Sequence, residues 1–230
     1  ELAKAGQFGK ALNVAGSIYD DFYKVWALSD IAVELAKAGR FSKAFDVARS
    51  ISDDSYKAWA LKDIAVELAK AGQTQKALQI FNDALNAAGS ISNNYYKALT
   101  LSFIAVELAK AGQIQQALQI FNKALNAAGS ISDDSAKARA LNIIAVEMAE
   151  AGQFDKAVNT TRFISDDSAK AFVLRYIAWR LAKAGQFNKA LTVAGSISND
   201  FLKAIALGDI ASELAKTGQT QKALQIFNDA

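Results

Sequence analysis

Apolar positions recur along this chain at steps of three and four. In one stretch Leu61, Ile64, Ala65, Leu68 and Ala71 fall on a single stripe, the spacing that 3.6 residues per turn demands of a helix buried along one side. The pattern predicts a first helix, A, from about Asp53 to Ala71. Ser52, Asp53 and Asp54 mark its start, where short polar side chains accept from unpaired amides and carboxylates face the positive helix end. Gly72 marks its stop, because the residue just past a helix end often takes the left-handed conformation that glycine adopts without steric cost. A second helix, B, follows with Ala77, Leu78 and Phe81 facing inward. The chain has no proline, so nothing breaks these helices from within.

This hairpin is reiterated. The segment ELAKAGQ or a close variant places its glycine at Gly6, Gly39, Gly72, Gly112, Gly152, Gly185 and Gly218, at spacings of 33, 33, 40, 40, 33 and 33 residues. Gly6 and Gly152, Gly39 and Gly185, and Gly72 and Gly218 are each 146 residues apart, and QTQKALQIFNDA at 73–84 returns unchanged at 219–230. Duplication of a four-repeat block explains both facts. Seven extra residues are about two helical turns, so a longer helix B keeps its facing. Short repeats carry Phe8, Phe41, Phe154 and Phe187 two residues after the glycine, where long ones have Thr74, Ile114 and Thr220; the long ones place Phe81, Phe121 and Phe227 seven residues further on. An aromatic buries roughly 150–250 Å², so this shift keeps a large anchor on the same stripe. The expected fold is all-α: one array over 1–230, with six complete A helices and half repeats at both ends, excerpted from a longer chain.

Counted from Gly72, Ala65 lies seven residues before, Ala77 five after, Phe81 nine after and Ala84 twelve after; Ala105, Ala117, Phe121 and Ala124 stand likewise around Gly112. This pattern resembles the tetratricopeptide repeat, most closely over 53–132. Two features depart from that family: Ala-Gly-Ser at 88–90 and 128–130 replaces its terminal proline, and the short repeats lack the aromatic and alanine of helix B. The resemblance implies antiparallel helix pairs stacked into a right-handed α-solenoid, small residues letting the helices approach.

Composition narrows the chemistry. The chain has 230 residues, 52% hydrophobic and 21% charged, with 26 Lys+Arg against 23 Asp+Glu and a net charge of +3. That balance argues against nucleic acid as the partner. The absence of cysteine and histidine removes disulfides, the usual zinc ligands, thiol nucleophiles and the commonest general base near neutral pH. No phosphate-cradling GxxxxGK[ST] loop occurs either, so neither an enzyme nor a cofactor is expected. No apolar run approaches the ~20 residues that span a bilayer, and a cytoplasmic location is the default expectation.

Recurrence assigns most polar residues to the framework. The pairs at 20–21, 53–54, 133–134, 166–167 and 199–200 stand at helix starts and read as caps, since sequence neighbours on a helix do not share a face. Glu1, Glu34, Glu67, Glu107, Glu147 and Glu213 recur five residues before the glycine and Lys24, Lys57, Lys97, Lys137, Lys170 and Lys203 fifteen before it, as on a solvated face or an inter-repeat ladder.

Positions that vary while the framework repeats are the candidates for recognition. The resemblance implies a concave groove lined by helix A. By motif position that groove presents Trp26, Ser29 and Val33, then Trp59, Lys62 and Val66, then Leu99, Ser102 and Val106. It continues through Arg139, Asn142 and Val146, through Phe172, Arg175 and Trp179, and ends at Ile205, Gly208 and Ser212. Lys37, Lys70, Lys110, Lys183 and Lys216 form its rim. An apolar floor with cationic edges suits a protein or peptide ligand with apolar anchors and acidic flanks; the competing expectation is that these aromatics pack between helices. Two further readings stand beside it. One is a homo-oligomer stacking head to tail through uncapped terminal repeats; the other is RNA binding with Lys62, Arg139 and Arg175 as polar readers.

Overall fold

The computed structural model describes residues 1–229, with side chains through Ile226. Thirteen α-helices and no strand occur among them: α1 (Phe8–Gly16), α2 (Asp21–Lys37), α3 (Phe41–Arg49), α4 (Asp54–Lys70), α5 (Thr74–Ser90), α6 (Asn94–Lys110), α7 (Ile114–Gly129), α8 (Asp134–Glu150), α9 (Phe154–Thr161), α10 (Asp167–Lys183), α11 (Phe187–Gly195), α12 (Asp200–Lys216) and α13 (Thr220–Asp229). The even-numbered helices are the six A helices, each of 17 residues, about 25 Å long. The chain divides into two compact units, Glu1–Ala127 and Ala128–Ala230.

Each unit is built by neighbour-to-neighbour stacking. In the first, α2 touches α1, α3 and α4, and α4 touches α3, α5 and α6; in the second, α10 touches α8, α9, α11 and α12. An inner A helix thus meets its own B helix, the preceding B helix and the A helices beside it, which is the contact pattern of a helical-repeat solenoid.

The same three positions of every A helix make the core. Eight residues before the turn glycine stand Ile31, Ile64 and Ile104 in the first unit and Ile144, Ile177 and Ile210 in the second; four before it stand Leu35, Leu68 and Leu108, then Met148, Leu181 and Leu214, all buried. Between them Ala32, Ala65, Ala105, Ala145, Ala178 and Ala211 are completely buried, small residues that let neighbouring backbones close up. Leu61 and Ala77 are buried as the periodicity predicts, whereas Leu78 is only half-buried. Ala71, placed by its spacing on the same stripe, is exposed because it is the C-cap, one residue beyond the helix.

Local signals set the ends. The side chains of Asp20, Asp53, Asn93, Asp133, Asp166 and Asn199 accept from backbone amides two or three residues on. The second acid of the pair (Asp21, Asp54, Asp134, Asp167 or Asp200) lies in the first turn, beside the unpaired amides. All seven turn glycines hold φ between 72° and 81°. At Gly72 the amide donates to the Ala69 carbonyl at 3.0 Å and that of Gln73 to the Leu68 carbonyl at 2.9 Å, so the carbonyls at the helix end are satisfied within the turn.

Helix B alone absorbs the difference in repeat length. It has eight or nine residues in α1, α3, α9 and α11 but 17 in α5 and 16 in α7. The displaced anchors Phe81 and Phe121 are 1% and 0% exposed. Of their short-repeat counterparts, Phe8 and Phe154 are buried while Phe41 and Phe187 are half-buried. Phe227 and Ala230 lie outside the described side chains.

Candidate interaction surface

The face of helix A turned away from the core carries the residues that vary between repeats. In the first unit Trp26 on α2 and Trp59 on α4 occupy equivalent positions and remain 52% and 46% exposed. One helical turn before them, Phe22, Tyr23 and Tyr56 extend the same surface, and Tyr95, Tyr96 and Phe103 continue it on α6. These rings meet edge to face between helices: Phe22 with Tyr56 at 6.0 Å between centroids, and Trp59 with Phe103 at 5.8 Å. Each such contact contributes about 0.5–1.5 kcal/mol. The expected alternatives, packing and presentation, therefore coincide in Trp59, which packs along one edge and keeps nearly half its surface open. Burial raises the Tyr56 phenol above its ordinary value, helped by Asp53 and Tyr96.

Several motif-placed positions do not reach this surface. Ser29, Ser102 and Val106 are buried, and the Ser102 hydroxyl donates to the Leu99 carbonyl of its own helix at 2.8 Å; buried side chains of this kind are not open to a ligand, so these three fall out of the groove. Val33, Val66 and Leu99 are half-buried, and Lys62, also half-buried, is held by Asp63 at 2.6 Å.

The rim is not the cationic edge its lysines imply. Lys37, Lys70, Lys110 and Lys216 each bind the glutamate three residues earlier in the same helix, Glu34, Glu67, Glu107 and Glu213, at 2.7–2.8 Å. Every one of these cations carries its own counter-charge. At Lys37 the hydrogen bond to Glu34 raises the ammonium above its ordinary value, with the charges of Glu34, Glu67 and Asp63 adding to it and burial opposing.

The second unit departs from that rule at one step. Glu150 stands where other repeats have the rim lysine, and Arg180 where they have the glutamate; the exchanged charges join neighbouring A helices, Arg180 pairing with the Glu150 carboxylate and the Tyr176 hydroxyl donating to it. This bridge between repeats lies outside the recurring glutamate and lysine series. Arg175 extends it by donating to Asp209 of α12 at 2.9 Å, which occupies a side chain expected in the groove. Lys183, with no glutamate three residues before it, lies 4.6 Å above the half-buried Trp179 ring, and Phe172 is 57% exposed. Arg139 and Asn142 line an open pocket of about 440 Å³ with Asp134, Ser135, Ser165 and Asp166. Val146, Ile205 and Gly208 are half-buried and Ser212 is exposed.

Sequence reasoning missed Phe22, Tyr23, Tyr56, Tyr95, Tyr96 and Phe103 because only three positions per A helix carry over from the resembled motif. The signal was present: Phe22 and Tyr23 precede Trp26 by four and three residues, the separations that share a helix face.

Fold and surface together define an all-α helical-repeat protein with an aromatic outer face. No protein-family model and no curated protein matches the sequence. Among solved structures the chain is similar to that titled "Crystal structure of Ton1535 from Thermococcus onnurineus NA1", at 19% identity and a TM-score of 0.49, the match covering 99% of this chain and 92% of that one. A likeness of that degree carries no argument for site or function.

Proposed function

We propose that this chain is an interaction scaffold that binds a protein segment or peptide along the outward face of its A helices. The observation that carries the reading is the half-open pair Trp26 and Trp59 on adjacent helices, set in a cluster of further aromatics. Tryptophan and tyrosine held on a rigid framework are the residue types that dominate recognition energies. They bring large area at small cost in side-chain entropy. The tetratricopeptide resemblance agrees, since Ala65, Ala77, Phe81 and Ala84, and likewise Ala105, Ala117, Phe121 and Ala124, are all buried. With Lys37, Lys70 and Lys110 each neutralised locally, selectivity on this face rests on apolar and aromatic anchors. The buried hydroxyls of Ser102, Thr160 and Thr161 donate to carbonyls of their own helices.

Selection from a random peptide-display library tests this. Enriched peptides are expected to share aromatic or branched aliphatic anchors, and Trp26→Ala with Trp59→Ala weakens them by about 2 kcal/mol or more while costing about 1 kcal/mol of stability. Undiminished binding to the double variant removes the proposal.

A further inference from the structure

The half-buried anchors Phe41 and Phe187 mark a second kind of surface, on the B helices and distinct from the aromatic A-helix face. Phe8 and Phe154 are followed, one repeat on, by another phenylalanine at the equivalent position, Phe41 and Phe187, and are buried. Phe41 and Phe187 are followed by Thr74 and Thr220 and are half-buried. Exposure of the anchor thus follows the size of its successor. Where a short repeat precedes a long one, the successor's aromatic has moved two turns along its helix, and the space it would occupy beside the preceding phenylalanine stays open.

A groove lies at each of these two junctions. In the first unit it has a volume of about 680 Å³ between α3, α4 and α5, floored by Phe41, Phe45, Ile64, Leu68 and Ile80. In the second it has about 800 Å³ between α11, α12 and α13, floored by Phe187, Leu191, Leu207, Leu214 and Ile226. The charges around both are of one sign. Arg40, Lys43 and Lys76 line the first, Lys189 and Lys222 the second, and no carboxylate lines either among the described residues. Lys43, Lys76 and Lys222 make no ion pair among the described residues, Lys76 and Lys222 donating to the neutral side chains of Gln73 and Gln219, whereas Lys189 holds Asp155 of the preceding short B helix at 3.1 Å. Three of these four lysines thus contrast with the A-helix rim, where four lysines each hold a glutamate. Lys43 and Lys189, and Lys76 and Lys222, are 146 residues apart, so each copy of the four-repeat block carries its own groove with the same two cations.

We infer that each groove binds an acidic segment of a partner protein, inserting an aromatic or branched aliphatic side chain beside Phe41 or Phe187 and setting its carboxylates against the flanking lysines. The apolar floor favours a protein segment over a polyanion, because phosphate backbones bring no side chain to fill it. Carboxylate flanks complement Lys43, Lys76 and Lys222, which have no counter-charge among the described residues, and at Lys189 they compete with the exposed Asp155.

The test uses the full chain and a fluorescein-labelled synthetic peptide with one central tryptophan flanked by glutamates, followed by fluorescence anisotropy. Binding is expected, with losses of about tenfold or more when the tryptophan becomes alanine or the glutamates become lysines. On the protein side, Thr74→Phe with Thr220→Phe fills the space, and Lys43→Glu with Lys189→Glu reverses the flanking charge; each pair is expected to weaken the peptide by a similar factor, with folding verified by circular dichroism. The exposed lysine pair keeps the test decisive should the phenylalanine pair misfold. Unchanged affinity in the lysine variants overturns the inference. So does equal binding of the alanine peptide, which would make the site a general polyanion surface, or displacement of the peptide by self-association of the chain at higher concentration.

Discussion

Gly72 illustrates how single residues hold this fold. Its φ of 75° is a region where a side chain crowds the following carbonyl, yet a Cβ built there meets no atom within 4 Å. The penalty of substitution is therefore torsional alone. Gly72→Ala is expected to cost about 1–2 kcal/mol, and Gly72→Asn less, because asparagine tolerates the left-handed region; urea unfolding of the two variants measures both. Residue-scale signals of this kind were legible, since glycine stops and Asp or Asn caps act through short-range geometry. The fate of the rim lysines was not read correctly, although the information lay in the spacing. Glu34 and Lys37 stand three residues apart on one helix, and reading the glutamates as a solvated face or a ladder and the lysines as a rim separated partners that pair with each other.

At the scale of elements, the periodicity of three and four located α4 and its buried Leu61, Ile64, Ala65 and Leu68, though not the exposed Ala71, and the repeat carried that helix to the other five. It could not tell which side of the remaining surface a neighbouring helix covers. Ser29, Ser102 and Val106 are buried, and the aromatics one turn before Trp26 and Trp59 escaped notice while belonging to the same face. The anchors of helix B show the same limit. Their two-turn shift was visible in the sequence, but not the exposure it leaves at Phe41 and Phe187, which depends on the following repeat. Phe81→Ala is expected to cost about 3–5 kcal/mol, as for a fully enclosed aromatic, and Phe41→Ala roughly half of that, because part of its surface is already open to water. Guanidinium unfolding midpoints of the two variants check the ratio. Equal costs would mean that the groove at Phe41 is closed in solution.

Across the whole molecule, stability comes from neighbouring repeats, and the proposed recognition falls to positions that stacking does not use. No helix among the described residues is long and apolar enough to cross a membrane. The repeated four-hairpin block explains why framework residues recur at fixed offsets while Trp26, Leu99, Arg139, Phe172 and Ile205, all at one offset from their glycines, differ from repeat to repeat. In a domain with a single shared core, removing an internal helical hairpin destroys the fold; in an array of neighbour contacts it joins like to like. The most direct measurement is thus far-ultraviolet circular dichroism, with a thermal melt, of a variant lacking residues 40–72, which joins Gly39 to Gln73 in register. Helicity per residue equal to that of the parent and a cooperative melt are predicted. Loss of helicity, or a melt without cooperativity, would contradict the account.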